Sequence, residues 1–388
     1  MIVAQVRRLK VHVRSLMPAT ASILTILLLC AEPSGRLAFV AGSELEDQCA
    51  CIIDVASGEI RRVGVGSFDG TPAWSPDGAA LAFETKQDGG MRIHVVREDG
   101  SQARTIDHKY KWNRNPQWSP DGTKLAYTAS DAMDLAQRII VHEFATGLET
   151  PWGGERVGLL RPVWVPGVKL LYGLRPGQRI GWGDAKITLD GLDWLEVGRV
   201  LLAIGLQGEP GALTTDLFMV TQDTALALTE LGLPEWVIPS RSKYAEWAVA
   251  PSPTGSTIAF ESNDGGDREI FVITNKGTAD ITNHRAADWN PRWSPDGDWL
   301  AFESFRGGRR GIYRVYPNTA RVLPIAAAPD SDNWWPSWSP NGKWIAFVSN
   351  RTGNPEVFVT DASGENLRQL TNNTWNDYAP SWRPKGKS

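Results

Sequence analysis

Alternating apolar and polar residues, interrupted at regular intervals by turn sequences, run through most of the chain. Near the C-terminus Lys343-Trp-Ile-Ala-Phe-Val-Ser349 is followed by Glu356-Val-Phe-Val-Thr360, then by Asp361-Ala-Ser-Gly364 and the short run Leu367 to Leu370. Short alternating runs bounded by Gly, Pro, Asp and Ser predict β-strands joined by tight turns. Just before this series stands Pro336-Ser-Trp338-Ser-Pro-Asn-Gly342, and closely similar runs occur at Pro72 to Gly78, Pro116 to Gly122 and Pro291 to Gly297. A looser copy spans Pro380 to Gly386. Ser-Pro-Asp-Gly makes a turn by mechanism: Pro presets φ, Asp tolerates the next position, and Gly takes the left-handed conformation that closes it.

The spacing is nearly constant. Gly78 and Gly122 lie 44 residues apart, and Gly297, Gly342 and Gly386 follow one another at 45 and 44. Degenerate copies occupy the middle: Pro162-Val-Trp164-Val-Pro-Gly167, Asp193-Trp194-Leu-Glu-Val-Gly198 and Pro251-Ser-Pro-Thr-Gly255. Each unit reads as four antiparallel strands, A to D, with the Trp strand first. Such a unit repeated every 40 to 50 residues or so is the signature of a β-propeller blade. Residues 35–63 match strands B, C and D with no Trp strand before them, while Trp382 to Gly386 is a strand A with nothing after it. The two halves complement each other, so the C-terminal strand is expected to close the first blade and seal the ring. Counting units at Gly35, Gly78, Gly122, Gly167, Gly198, Gly255, Gly297 and Gly342 predicts eight blades. Seven is the alternative, because the unit from Gly167 to Gly198 is only 31 residues long.

Composition narrows the function classes. A chain of 388 residues that is 42% hydrophobic and 22% charged forms a core, and a net charge of −4 gives no general attraction to nucleic acid. The 18 tryptophans are concentrated in the repeats, and those of the motif are expected to pack between blades. Residues 1–34 read as an export segment, with Arg7, Arg8, Lys10 and Arg14 before the apolar run Ser22 to Cys30. That predicts an exported, periplasmic or otherwise extracytoplasmic monomer. Its membrane attachment would come only through a lipid on Cys30, by way of the lipobox-like Leu27-Leu28-Leu29-Cys30. Cys49 and Cys51 read as strand residues and not as a disulfide or a metal site.

The repeated PxWSPDGxxLAF pattern, followed by an Ile-Tyr or Val-Phe strand and a Gly turn, resembles the TolB-type, WD-repeat-like propeller repeat over residues 35–388. The resemblance implies an all-β propeller. It is compatible with several functions, since similar repeats occur in a protein of the bacterial Tol–Pal envelope system, in propeller domains of prolyl-oligopeptidase-type enzymes and in an oligogalacturonate lyase.

In an A-B-C-D blade the A–B and C–D turns lie on one face of the disc, and the B–C and D–A loops on the other. On that second face, five residues before each motif Trp, stand Asp69, Asn113, Asp288, Asn333 and Asp377, with aromatic neighbours that include Trp112, Trp289, Trp334 and Trp375. Repeated Asp and Asn at one position predict Asx-type acceptance of backbone N–H groups. They also make these residues, with Trp236, candidates for binding a protein partner or envelope ligand at the channel mouth. Trp236 belongs to a long segment, roughly residues 230–247, before the Gly255 turn. No G-x-S-x-G elbow, phosphate loop or dinucleotide fingerprint occurs, and no catalytic, metal or cofactor residue is assigned. The expected function is therefore non-catalytic binding. The alternative is a polysaccharide- or peptide-acting lyase or hydrolase using Asp288, Asp377 or His284.

Overall fold

Each repeat motif folds as the end of one strand, a turn and the start of the next, and its polar residues explain why. At the first copy the Ser75 hydroxyl donates to the Asp77 carboxylate (2.5 Å) and accepts the Ala80 N–H (2.9 Å), while Asp77 accepts the Ala79 N–H (3.0 Å). Gly78 closes the turn at φ 70°. The same bonds recur at Ser119 with Asp121, Ser294 with Asp296, and Ser339 with Asn341. The turn is thus tied internally and sets the register of the hairpin it joins.

The computed structural model describes residues 33–386 except 44–46, 65–67, 107–108, 133–136, 155–156, 167–178, 183–184, 189–200, 208–213, 221, 224, 229–245 and 275. Strands β1 (Arg36–Gly42), β2 (Cys49–Asp54) and β3 (Ile60–Arg62) form a meander. Next come β4 (Ala73–Trp74), β5 (Ala80–Gln87), β6 (Gly90–Arg97) and β7 (Arg104–Thr105). They are followed by β8 (Trp112–Trp118), β9 (Lys124–Ser130), β10 (Arg138–Glu143) and β11 (Glu149–Trp152). These eight make one continuous sheet, joined by a parallel bridge between Met91 and Trp112. Strand β12 (Leu159–Trp164) precedes a two-stranded ribbon of β13 (Arg179–Trp182) and β14 (Ala185–Thr188). It pairs across that ribbon with β15 (Leu201–Gln207), which continues to β16 (Thr214–Val220) and β17 (Ala225–Ala227). Three regular meanders follow. The first is β18 (Glu246–Pro251), β19 (Ile258–Ser262), β20 (Glu269–Thr274) and β21 (Gly277–Asp280). The second is β22 (Asp288–Trp293), β23 (Leu300–Ser304), β24 (Gly311–Tyr316) and β25 (Arg321–Ala326). The third is β26 (Asn333–Trp338), β27 (Trp344–Ser349), β28 (Glu356–Asp361) and β29 (Arg368–Gln369). Finally β30 (Asn376–Trp382) pairs antiparallel with β1, completing the first sheet in the order β3-β2-β1-β30.

The fold is an all-β propeller, but its blade count corrects the expected eight and the alternative seven: the described residues form five separate four-stranded blades. Two physical reasons account for the difference. The glycines at 167 and 198 do not mark two units, because β12 and β15 on either side of that stretch belong to one sheet. The units marked by Gly78 and Gly122 are not separate sheets either, since the β6–β8 bridge merges them into the eight-stranded one. Turn spacing reports hairpins and is blind to which hairpins share hydrogen bonds.

The core lies between the sheets. Leu37, Phe39 and Ile53 pack against Ala346, Val357 and Val359 of the last meander, whereas Ala38 and Ile52 pack against Leu81 and Phe83 of β5. Alternate residues of one strand therefore serve two neighbours, which is why the inner strands read as nearly unbroken apolar runs. At the junction of the chain ends, Arg36 and Arg383 both pair with Glu98, and Arg383 also donates to the Gly78 carbonyl (2.8 Å). Cys49 and Cys51 are buried, unbridged residues of β2.

Candidate binding face

The acid and amide positions lie at the start of the motif strands or, for Asp69, just before β4, and Asp69, Asn113, Asp288, Asn333 and Asp377 all have no accessible surface. Asp69 accepts the Ala50 N–H (3.0 Å), and Asn113 donates to the carbonyls of Met91 (3.0 Å) and Tyr110 (2.8 Å). Asp288 accepts from Arg306 (2.5 Å), which also bonds Ser304; Asn333 accepts from Arg351 (2.8 Å), which also bonds Ser349. Asp377 accepts from the Asn373 amide (2.8 Å). These side chains fasten the loops of the face from beneath. Burial pushes the Asp288 carboxyl above the ordinary carboxylate range against the pull of Arg306, and pushes Asp377 up to about 7.

One residue further along, β22, β26 and β30 carry Trp289, Trp334 and Tyr378, and β18 carries Trp247 after Glu246, all partly exposed. The next residue is a bulge with left-handed backbone: Asn290 at φ 58°, Trp335 at 54°, Ala379 at 49°, and Asn115 at 55° in β8. Such conformations are costly for Trp and Ala and are held by the surroundings. The bulged N–H groups find carboxylates on the neighbouring sheet or strand, half-buried at Glu84 and buried at Glu261 and Glu303: Asn115 donates to Glu84 (3.2 Å), Asn290 to Glu261 (2.5 Å) and Trp335 to Glu303 (2.9 Å). Glu261 is paired with Arg268, and Glu303 with Arg310 (2.5 Å). Burial raises the pKa of Glu84 and Glu261 despite these donors.

The arginines return over the aromatics. Arg268 lies 4.4 Å from the centre of the Trp247 ring, and Arg310 lies 5.3 Å from Trp289 and 5.6 Å from Trp334. Trp289 also contacts Phe305 (5.2 Å), Trp334 contacts Trp335 (6.5 Å), and Trp335 contacts Tyr378 (5.5 Å). A continuous stripe of rings and guanidinium groups results across β22, β26 and β30. Phe305 is 47% and Trp335 36% exposed, so the stripe offers flat apolar area beside cations whose charge is already balanced by buried glutamates.

Of the residues expected at the mouth, Trp289 and Trp334 belong to this stripe. Trp112 is half-buried under Arg114 (5.6 Å), and Trp375 is 47% exposed with no ring contact to the stripe among the described residues. Trp236 lies outside the described residues, as do Cys30 and the other residues of the export segment through Glu32. Sequence reasoning missed Glu84, Glu261 and Glu303, with Arg268 and Arg310. The signal was present: Ala-Phe-Glu-Thr at 82–85 and Ala-Phe-Glu-Ser at 259–262 and 301–304 put one acid at a fixed place in an otherwise apolar strand. At the far end of the motif strands, a groove of about 200 Å³ lies between the turns at Pro76 and Pro120.

A family model described as the TolB beta propeller domain matches residues 31–151 and 225–333. No curated protein matches the sequence. Among solved structures, TolB from Acinetobacter baumannii is similar at TM-score 0.54 and 16% identity, covering 90% of this chain and 67% of that one. The β-propeller domain of the Trilobed protease from Pyrococcus furiosus is similar at TM-score 0.60 and 13% identity, covering 88% and 96%. The acylaminoacyl peptidase from Pyrococcus horikoshii is similar at TM-score 0.57 and 12% identity; the match covers 87% of this chain but only 51% of the peptidase. At these identities the solved structures speak for the fold, while the family match extends over more than half of the chain. The chain belongs to the family of TolB β-propeller domains.

Proposed function

We propose that the protein is an exported, monomeric, non-catalytic propeller that binds a protein partner or cell-envelope ligand through the face of its B–C and D–A loops. The observation that carries this reading is the stripe Phe305, Trp289, Arg310, Trp334, Trp335 and Tyr378. Aromatic and arginine side chains of this kind are the usual anchors of protein interfaces, because they bury much area at small entropic cost. Strained backbone held by buried glutamates keeps them in place before any partner arrives, which lowers the ordering cost of association. An extracytoplasmic location is supported by the likeness to TolB and by the basic and apolar pattern before Cys30, the residue at which a lipid would be sought.

The catalytic alternative starts from Asp288, Asp377 and His284, of which only His284 is exposed in this structure. Immobilised chain and a Trp289→Ala/Trp334→Ala variant, each exposed to an envelope extract, test the proposal. Retention of a protein by the parent and its loss from the variant is the expected result. Equal retention by both, or turnover of an oligosaccharide or peptide substrate, contradicts it.

A further inference from the structure

Several buried acids stand in pairs across neighbouring sheets. In three blades the third strand begins opposite the last residue of the second strand, with Glu269 opposite Ser262, Gly311 opposite Ser304 and Glu356 opposite Ser349; in the sheet of β15 and β16, Asp216 stands opposite Gly205, two residues inside the strand ends. At or next to the start of the motif strand of the next sheet stand Asp288, Asn333, Asp377 and Glu246 respectively. Wherever the first position is acidic the second is acidic too; where it is Gly311, the second is Asn333. Within the eight-stranded sheet Arg92 at the first position goes with Asn113 at the second, while Cys49, at the first position of the first sheet, goes with Asp69, which takes the Ala50 N–H instead of a second acid. All six paired acids are buried.

Two of these pairs are in direct side-chain contact, Glu269 with Asp288 and Glu356 with Asp377. Around Glu269 the Thr282 hydroxyl (2.6 Å) and the His284 N–H (2.9 Å) donate to its two oxygens. Glu356 accepts from the Asn373 N–H (2.9 Å) and the Asn354 amide (3.0 Å). Yet Asp288 Oδ1, Asp377 Oδ1 and Glu356 Oε2 are buried and accept no hydrogen bond. Two carboxylates cannot serve each other unless one of them carries a proton; with it, the orphaned oxygens are satisfied. The charged and titratable groups facing the first pair are Arg306 and Tyr313, and those facing the second are Cys51 and Tyr378. Among the described residues, Arg306 is a cation at the first pair and none stands at the second.

We propose that neighbouring blades are clasped by protons shared between Glu269 and Asp288 and between Glu356 and Asp377, so that raising the pH through neutrality loosens the last blades and the closing strand β30. The burial-raised pKa of Glu269 and of Asp377, each about 7, places the transition in the neutral range. The device is independent of what the binding face takes up. The second pair is the more sensitive, because it joins the last meander to β30 and, among the described residues, has no arginine to offset a second negative charge.

The test is the thermal midpoint of the full chain from about pH 5 to about pH 8.5, beside Asp288→Asn, Asp377→Asn and the double variant, with and without calcium. The chain itself uses Asn at this position in Asn113 and Asn333. The expected result is a parent midpoint that falls by about 5 °C or more across this range, and a double variant whose profile is flatter. Parallel profiles for parent and variant overturn the proposal. So does restoration of the alkaline midpoint by calcium in the parent alone, which would make the pair a cation site. If the double variant does not fold, infrared difference spectra of the parent between the two pH limits still decide: loss of a protonated carboxyl band supports the clasp, and its absence at both limits refutes it.

Discussion

Trp338 donates its indole N–H to the backbone carbonyl of Arg292, 3.0 Å away on the adjacent blade. The acceptor is the residue just before that blade's own motif Trp, and the arrangement recurs along the chain, with Pro251 in place of the Trp in one copy. Trp74 bonds Ser381 (3.0 Å), Trp118 bonds Ala73 (3.1 Å), Trp164 bonds Gln117 (2.9 Å) and Trp293 bonds Ala250 (2.8 Å). Five motif tryptophans thus join neighbouring motif strands by a bond that no apolar ring can make, whereas the buried indole N–H of Trp382 has no such acceptor among the described residues. Trp338→Phe retains most of the packing and leaves the carbonyl short of a donor, so it should cost about 1 to 2 kcal/mol. Urea unfolding measures this directly, and an unchanged midpoint with an unchanged slope would contradict the assignment.

Glu303 holds three things at once, the bulged N–H of Trp335, the side-chain amide of Asn290 and the guanidinium of Arg310. Replacing it by Gln leaves Arg310 without its countercharge in a partly buried site, at a cost of about 3 kcal/mol. Because Arg310 covers Trp289 and Trp334, the tryptophan emission should also change. Loss of stability without a change in emission would mean that the arginine does not order the stripe.

The sheet type, the turns and the pairing of the chain ends were legible because each rests on local chemistry: alternation for the strands, Ser-Pro-Asp-Gly for the turns, and the half-units at Gly35 and Trp382 for the junction. The number of blades was not. It depends on the β12–β15 pairing across 36 intervening residues and on a single parallel bridge at Met91, and neither leaves a trace in turn spacing. The Asx positions were visible as a repeated pattern, but only their 0% exposure shows that they fasten loops from below. The stripe was half legible: Trp289 and Trp334 stood out, while Arg310 and Glu303 become meaningful only when strands from different sheets are brought together.

The closing strand makes a separate prediction. Deleting residues 379–388 removes the part of β30 that pairs with Leu37 and Ala38, takes Trp382 out of the core shared with Leu37 and Val359, and frees Glu98 from Arg383. The thermal midpoint should fall by about 10 °C or more. A truncated chain that melts with the parent would show that the ring does not depend on this strand.

Two groups of carboxylates give stability opposite pH slopes. Asp77, Asp121 and Asp361 are held below the usual carboxylate range by hydrogen bonds from turn hydroxyls and N–H groups, against a burial that raises them. Their contribution is present above the unfolded pKa and is lost as the pH falls through the lower folded value. For Glu269 and Asp377 the folded pKa is raised, so their contribution is full below the unfolded value and is lost as the pH rises through about 7. Stability should therefore peak in mildly acidic solution, between about pH 4 and pH 6. Denaturant midpoints across the range check this, and a monotonic rise to alkaline pH would contradict it.

The most direct measurement for the binding account is hydroxyl-radical footprinting of the chain with and without the partner retained from an envelope extract. The account predicts protection of Trp289, Phe305, Trp334, Trp335 and Tyr378, with the Ser-Pro-Asp-Gly turns at Pro76 and Pro120 unchanged. Protection confined to those turns, with the stripe still fully reactive, would place the partner on the other face and contradict it.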